Sequence, residues 1–325
     1  MEKVFQKISL LSASLVFAIL VGIFITLFMT AKPAIKEYGW SFITNPAWNK
    51  EVVVSDSKAK VKKEMSSKQT QEMTNINNFD DDMSIPSDDE ESMEVQTKTV
   101  YGGLVPLVGT ILSTLIALIF SLPIAMGIGI FLSEIAPKNI SNIVGIAIEL
   151  LAAIPSIIFG MWGLYYFAPI VQRFFGGFQV SLLTAGLVLG VMILPFMAAI
   201  TRDSMNTTPN VLKESAYALG ATKFEVIKDV IFPYSKVGII GSVILALGRA
   251  LGETMAVTFL IGSVFQLPKK ITDPTISIPV ALANNFGEAT GLGLSSLFYL
   301  AFILFVLSFA IISFAKFYFL RKAHI

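Results

Sequence analysis

Residues 8–30, 104–133, 174–201 and 289–315 form four runs with no charged residue inside them. About 20 helical residues cross the ~30 Å hydrocarbon layer of a bilayer, and inside that layer each backbone N–H and C=O needs a partner within the protein. Each run therefore folds as a membrane-spanning helix. Two further runs are long enough if an internal charge is tolerated: 140–171, which contains Glu149, and 237–267, which contains Arg249 and Glu253. The expected fold is an all-α membrane protein of six transmembrane helices. With 54% hydrophobic and 14% charged residues over 325, the chain is too apolar for a soluble domain of this length. A formal charge of +1 leaves no electrostatic footprint for nucleic acid, and with no cysteine and a single histidine, His324, no thiolate or histidine-based metal site is expected.

Lysines and arginines set the orientation. With the N-terminus inside, eleven of them in the short loops and termini, from Lys3 to Lys322, face the cytoplasm, and three (Arg173, Lys269 and Lys270) face out. Both termini are then cytoplasmic. Lys3 and Lys7 before an apolar run resemble the start of a secretory signal, but the run is long and "MTAKPA" offers no clean cleavage site, so 1–30 is expected to stay as the first membrane helix. Residues 31–101 come next as an extracytoplasmic insertion. Its middle has one aromatic residue, Phe79, and an acidic block from Asp80 to Glu94, too little apolar area to offset ordering entropy, so it is expected to be largely disordered. Residues 102–325 then make a five-helix core.

Within that core, Pro123 and Pro155 fall inside the second and third runs. Each removes a backbone donor and bends its helix, which suits either kinked packing or the lining of a pathway. The loop 202–236 is the most organised soluble segment. "TPNVLKESAYALG" supplies Thr208 as N-cap, Pro209 at the first helical position and Gly220 as the stop, while "TKFEVIKDVIFP" supplies Thr222 and Glu225 at capping-box spacing and ends before Pro233. Two short helices are expected there. Val211, Leu212, Ala216 and Leu219 recur at helical spacing on the first, an apolar stripe that so small a loop cannot bury, which points to a partner protein.

That loop resembles the coupling motif of ABC importer permeases, with Glu214, Ser215, Ala216, Gly220 and Pro233 in the motif's places and serine standing for the usual second alanine. "YGGLVPLVGTILSTLIALIFSLPIAMGIGIFLSE", "ELLAAIPSIIFGMWGL" and "GRALGETMAV" are similar to the phosphate-specific transport permeases, nearer their C type. The likeness spans the six runs and fails in the insertion. It implies the type I ABC importer permease (MetI-like) fold in the cytoplasmic membrane. The partners it implies are a dimer of ATP-binding subunits, a second related permease and an extracytoplasmic phosphate-binding protein. ATP and Mg would belong to the ATP-binding subunit, since this chain has no Gly-x-x-x-x-Gly-Lys-Ser/Thr sequence and is expected to be no enzyme. Rival assignments are a permease for sulfate or molybdate, or an ATP-independent channel or secondary transporter.

Arg249 and Glu253 remain to be explained, since a charge at a helix centre costs roughly 2.5–3.5 kcal/mol on insertion scales. At four-residue spacing the two share one face of the helix, within reach of each other. The pair is then either an internal salt bridge that fixes packing, or a substrate pathway in which the forked guanidinium meets oxyanion oxygens and Glu253 holds it in place. The family resemblance favours the pathway.

Overall fold

The computed structural model describes residues 2–53 and 97–323. They divide into two compact units: Met1–Pro46 with Gly102–Ile325, and Ala47–Tyr101. In the larger unit, five helices among the described residues are long and apolar enough to span a membrane, and one bent pair is long and apolar enough to make a sixth if it forms a single span.

The first helix, α1 (Glu2–Tyr38), runs 37 residues, roughly 55 Å. It leans on the last helix, α13 (Gly291–Ala323), through Phe24 and Phe28, whose rings sit 5.3 and 5.6 Å from that of Phe302. At its far end a short turn, α2 (Ser41–Thr44), buries Phe42 in a stack on Tyr299 at 4.6 Å, and the Tyr299 hydroxyl donates to the Gly39 carbonyl.

The centre of the unit is α7 (Leu182–Asn206), packed along α3 (Leu104–Ile130). Lipid tails supply no hydrophobic drive for two such helices to pair, so close backbone approach over small residues must do it. Gly186 and Gly190 form that surface: a Cβ on Gly186 would lie 2.7 Å from the Ile116 side chain, and one on Gly190 would lie 3.0 Å from the Ala117 carbonyl oxygen. The start of α7 is buried, and its first N–H groups need acceptors. They find them in a folded-back segment: Ser181 N–H donates to the Leu260 carbonyl, Leu182 to Asp273 and Leu183 to Ile271, while the Ser181 hydroxyl accepts from Thr184 N–H.

Several elements differ from the expectations raised by the sequence. The run 140–171 is not one helix: α4 (Lys138–Ala152) and the stretch Ser156–Phe175 meet at 91°, because Pro155 cannot donate to the helix and drives the residue before it out of the helical region. That second stretch comprises α5 (Ser156–Trp162), a wide π turn and α6 (Ala168–Phe175). The span expected at 174–201 starts instead at Leu182, since Gly176 and Gly177 take φ of +70° and +77° and turn the chain. The run 237–267 breaks after α10 (Phe232–Leu251), resumes as the short α11 (Met255–Leu260) and then turns at Gly262, φ +98°. The apolar runs gave no sign of a further short helix, α12 (Ile278–Asn285), where Ile278 N–H donates to the Thr110 hydroxyl of α3.

The ends of the insertion 31–101 carry regular structure. α1 continues to Tyr38, and in the smaller unit Lys50–Val53 (β1) pairs antiparallel with Thr97–Val100 (β2). Next to that ribbon, the Trp48 and Tyr101 rings meet edge to face at 5.2 Å. Aromatic and β-branched residues sit at these ends, whereas the compositional argument came from the middle. The acidic middle, 54–96, and His324 lie outside the described residues.

Candidate functional site

Arg249 occupies the last turn of α10, where the helix C-terminus favours a cation, and its Cζ lies 5.8 Å from the centroid of the Phe196 ring on α7. It lines a groove of about 610 Å³ between α7, α10 and α13, with Gly241, Ile244, Gly248, Ile312 and Lys316 among its neighbours. Glu253 does not pair with it. The helix ends at Leu251, so four-residue spacing no longer puts the two on one face, and no ion pair joins them among the described residues. The Glu253 carboxylate instead accepts the N–H of Ala256 at 3.2 Å and so caps the first turn of α11. Next to the break, Thr254 and Thr258 donate to the Gly252 and Thr254 carbonyls, as hydroxyls in membrane helices commonly do. Pro123 lies inside α3 with an exposed ring, and Pro155 is exposed at the bend after α4; neither lines the groove that holds Arg249.

The loop 202–236 is built more tightly than its sequence suggested. Its helix α8 runs Asn210–Ala218 with Pro209, not Thr208, at the cap position. Thr208 is buried and its hydroxyl caps nothing. The helix stops in a Schellman turn: Ala221 N–H reaches the Ala216 carbonyl and Gly220 N–H that of Tyr217, with Gly220 at φ +88°. The Thr222–Glu225 capping box is present in both directions. The segment beyond it is not a separate short helix, because α9 (Lys223–Glu225), a π stretch Val226–Ile231 and α10 form one helical rod, Lys223–Leu251. The wide turn lets the rod pass Pro233, whose ring would clash with the carbonyl of an ordinary preceding turn.

The apolar stripe of α8 splits in two. Ala216 faces inward, against a buried cluster of Met205, Val226, Ile231 and Ile239 to which Met126 and Ile130 of α3 also belong. Val211 and Leu219 point outward at 70% and 90% exposure, joined by Phe224 at 71%, a residue the sequence pattern did not single out. Glu214 and Ser215 are exposed beside them. Lys213 turns back to Glu134, in the π turn that ends α3, with Nζ to Oε1 at 2.6 Å and side chains only 17% and 10% exposed. Glu149 on α4 meets Arg202 of α7 at 3.2 Å. The Arg202 guanidinium lies against Gly145, where a Cβ would fall 1.8 Å from its Nη1 and would displace the end of that side chain. Neither Lys213 nor Glu134 stood out from sequence, because they lie 79 residues apart.

Residues 125–323 match the family described as the binding-protein-dependent transport system inner membrane component. The phosphate transport system permease protein PstC of Haemophilus influenzae is 40% identical over 327 residues, covering 94% of this chain and 89% of that protein. PstC of Mesorhizobium japonicum is 36% identical over 341 residues, 98% of this chain and 90% of its own length. Among solved structures, the MetNI methionine ABC transporter, in inward-facing conformations, superposes with a TM-score of 0.51 at 20% identity, over 68% of this chain and 94% of that one. At that identity the likeness concerns the fold alone.

Proposed function

The chain belongs to the binding-protein-dependent transport system inner membrane components and, within them, to the PstC permeases; from that premise we propose that it imports inorganic phosphate by alternating access, as one permease subunit of an ATP-driven complex. The observation that carries this is the 40% identity to a phosphate permease over 94% of the chain. In this proposal the subunit lies in the cytoplasmic membrane beside a second, related permease. A phosphate-binding protein delivers substrate from outside. ATP and Mg are bound by an ATP-binding subunit dimer that docks on Glu214, Ser215 and the outward residues Val211, Leu219 and Phe224. Exposed apolar side chains at such density support a protein contact there.

The geometry supports a route for the motion. One helical rod of 29 residues, about 43 Å, begins at the capping box beside the docking surface and carries Arg249 in its last turn. At its foot, the buried cluster joins α8, the rod, α3 and α7, and the Lys213–Glu134 pair ties α8 to α3 a second time. A push on α8 therefore moves the rod and its neighbours together, since close-packed contacts transmit displacement. Arg249 at the far end is the substrate residue in this account: its guanidinium offers forked donors to phosphate oxygens and rests on the Phe196 ring. Glu253 acts on the pathway by holding the restart of the helix at α11, not by neutralising Arg249.

Radiolabelled phosphate uptake by cells lacking their own high-affinity importer, supplied with this subunit and its partners, tests the assignment. Uptake that excess cold phosphate suppresses and sulfate does not is expected. Equal suppression by sulfate or molybdate would assign another oxyanion, and uptake without the ATP-binding subunit would point to a channel or secondary transporter.

A further inference from the structure

We propose that Lys316 is a second cation of the anion path, the station that follows Arg249 for a phosphate-class oxyanion on the loop side of the groove. The inference rests on the phosphate-import proposal and extends it to a residue whose sequence position spoke only to membrane orientation.

Among the described residues, Arg249 and Lys316 are the only charged ones lining the groove of about 610 Å³; its other lining residues are apolar or glycine. Neither cation has an ion-pair partner among the described residues. Two like charges lining one apolar groove repel one another, and an anion that enters the groove offsets that repulsion. Along α10 the floor of the groove is Gly241, Ile244 and Gly248, and a Cβ on Gly241 would meet nothing within 4 Å, so the space below Arg249 is open. Gly248 is level with Ile312, whose Cδ1 would lie 3.3 Å from a Cβ there. Lys316 sits one helical turn beyond Ile312, about 6 Å further toward the end that carries the loop 202–236.

The two groups have different chemistry. A guanidinium grips two oxygens in a fixed plane, whereas an ammonium on a flexible stem is a point charge that lets go more easily. An anion passing from Arg249 to Lys316 thus moves from an oriented contact to a looser one before release. The headgroup phosphate of an anionic lipid has the same recognition chemistry and could occupy the Lys316 end.

The test uses the whole complex, with its ATP-binding subunits and binding protein, in proteoliposomes made once with purely zwitterionic lipid and once with added anionic lipid. Phosphate imported per ATP hydrolysed is measured for wild type, Lys316→Gln and Lys316→Arg. Lys316→Gln is expected to lower that ratio roughly tenfold, the scale of one lost charge-assisted hydrogen bond, in both vesicle types. Lys316→Arg should restore most of it, and binding-protein-stimulated ATP hydrolysis should show that the variants are folded and assembled. Wild-type transport with an unchanged ratio in Lys316→Gln would overturn this inference alone. An effect of Lys316→Gln confined to vesicles with anionic lipid would also overturn it, in favour of a headgroup contact. Failure of the wild type to import phosphate would overturn the underlying assignment and this inference with it.

Discussion

The pair Lys213–Glu134 gives the sharpest quantitative expectation. Exposed ion pairs contribute about 0–1 kcal/mol, while removing one member of a buried pair costs about 3–5 kcal/mol because the other charge is left without a partner. With side chains 17% and 10% exposed and oxygen and nitrogen 2.6 Å apart, this pair lies between those limits, and about 2–3 kcal/mol for Lys213→Ala is the expected cost. That energy is local, since it ties one short helix to the end of α3. It should appear as a roughly 30- to 150-fold loss of amide-exchange protection in Asn210–Ala218, with the membrane helices little changed. In the assembled complex the same variant should hydrolyse ATP while importing less phosphate per ATP. Lys213→Glu should be worse, and adding Glu134→Lys to it should recover both exchange protection and the transport ratio. If Lys213→Ala leaves protection and transport at wild-type values, the pair transmits nothing, and motion would pass through the Ala216 contact alone.

The same geometry sets three other outcomes. Gly190→Ala would drive a methyl group to 3.0 Å from the Ala117 carbonyl oxygen, so a loss of about 1–3 kcal/mol is expected, read as a lower melting temperature in detergent. Gly220→Ala meets no neighbour within 4 Å but must hold φ +88°, which costs about 1–2 kcal/mol; its signature is weaker co-purification of the ATP-binding subunit with an intact membrane core. Glu214→Lys changes an exposed side chain at the docking surface, and co-purification should fall without any change in melting.

How far the sequence carries depends on the range of the force that decides each element. Hydrocarbon thickness acts on any apolar run, so the five long spans were legible, and the Thr222–Glu225 box and the Gly220 stop were legible because caps are local. The breaks are stronger than their sequence signals. Pro155 suggested a kink and produced a turn of 91°, since the folded protein supplies the missing backbone partners. Helical spacing puts Arg249 and Glu253 on one face, yet Gly252 lies between them and the helix stops there. The inward turn of Ala216 and the meeting of Lys213 with Glu134 depend on packing between segments far apart in sequence, where no periodicity reports. Gly186 and Gly190 stand at the four-residue spacing that marks a close helix contact, but that spacing does not name α3 as the partner.

The central claim is that Arg249, at the end of a rod driven from the loop 202–236, meets the transported anion. Its most direct test is phosphate import by the reconstituted complex carrying Arg249→Ala, with ATP hydrolysis followed in the same vesicles. The account predicts that import is lost while the complex stays assembled and binding-protein-stimulated hydrolysis continues. Wild-type import by that variant would contradict it and leave Arg249 as a packing residue against Phe196.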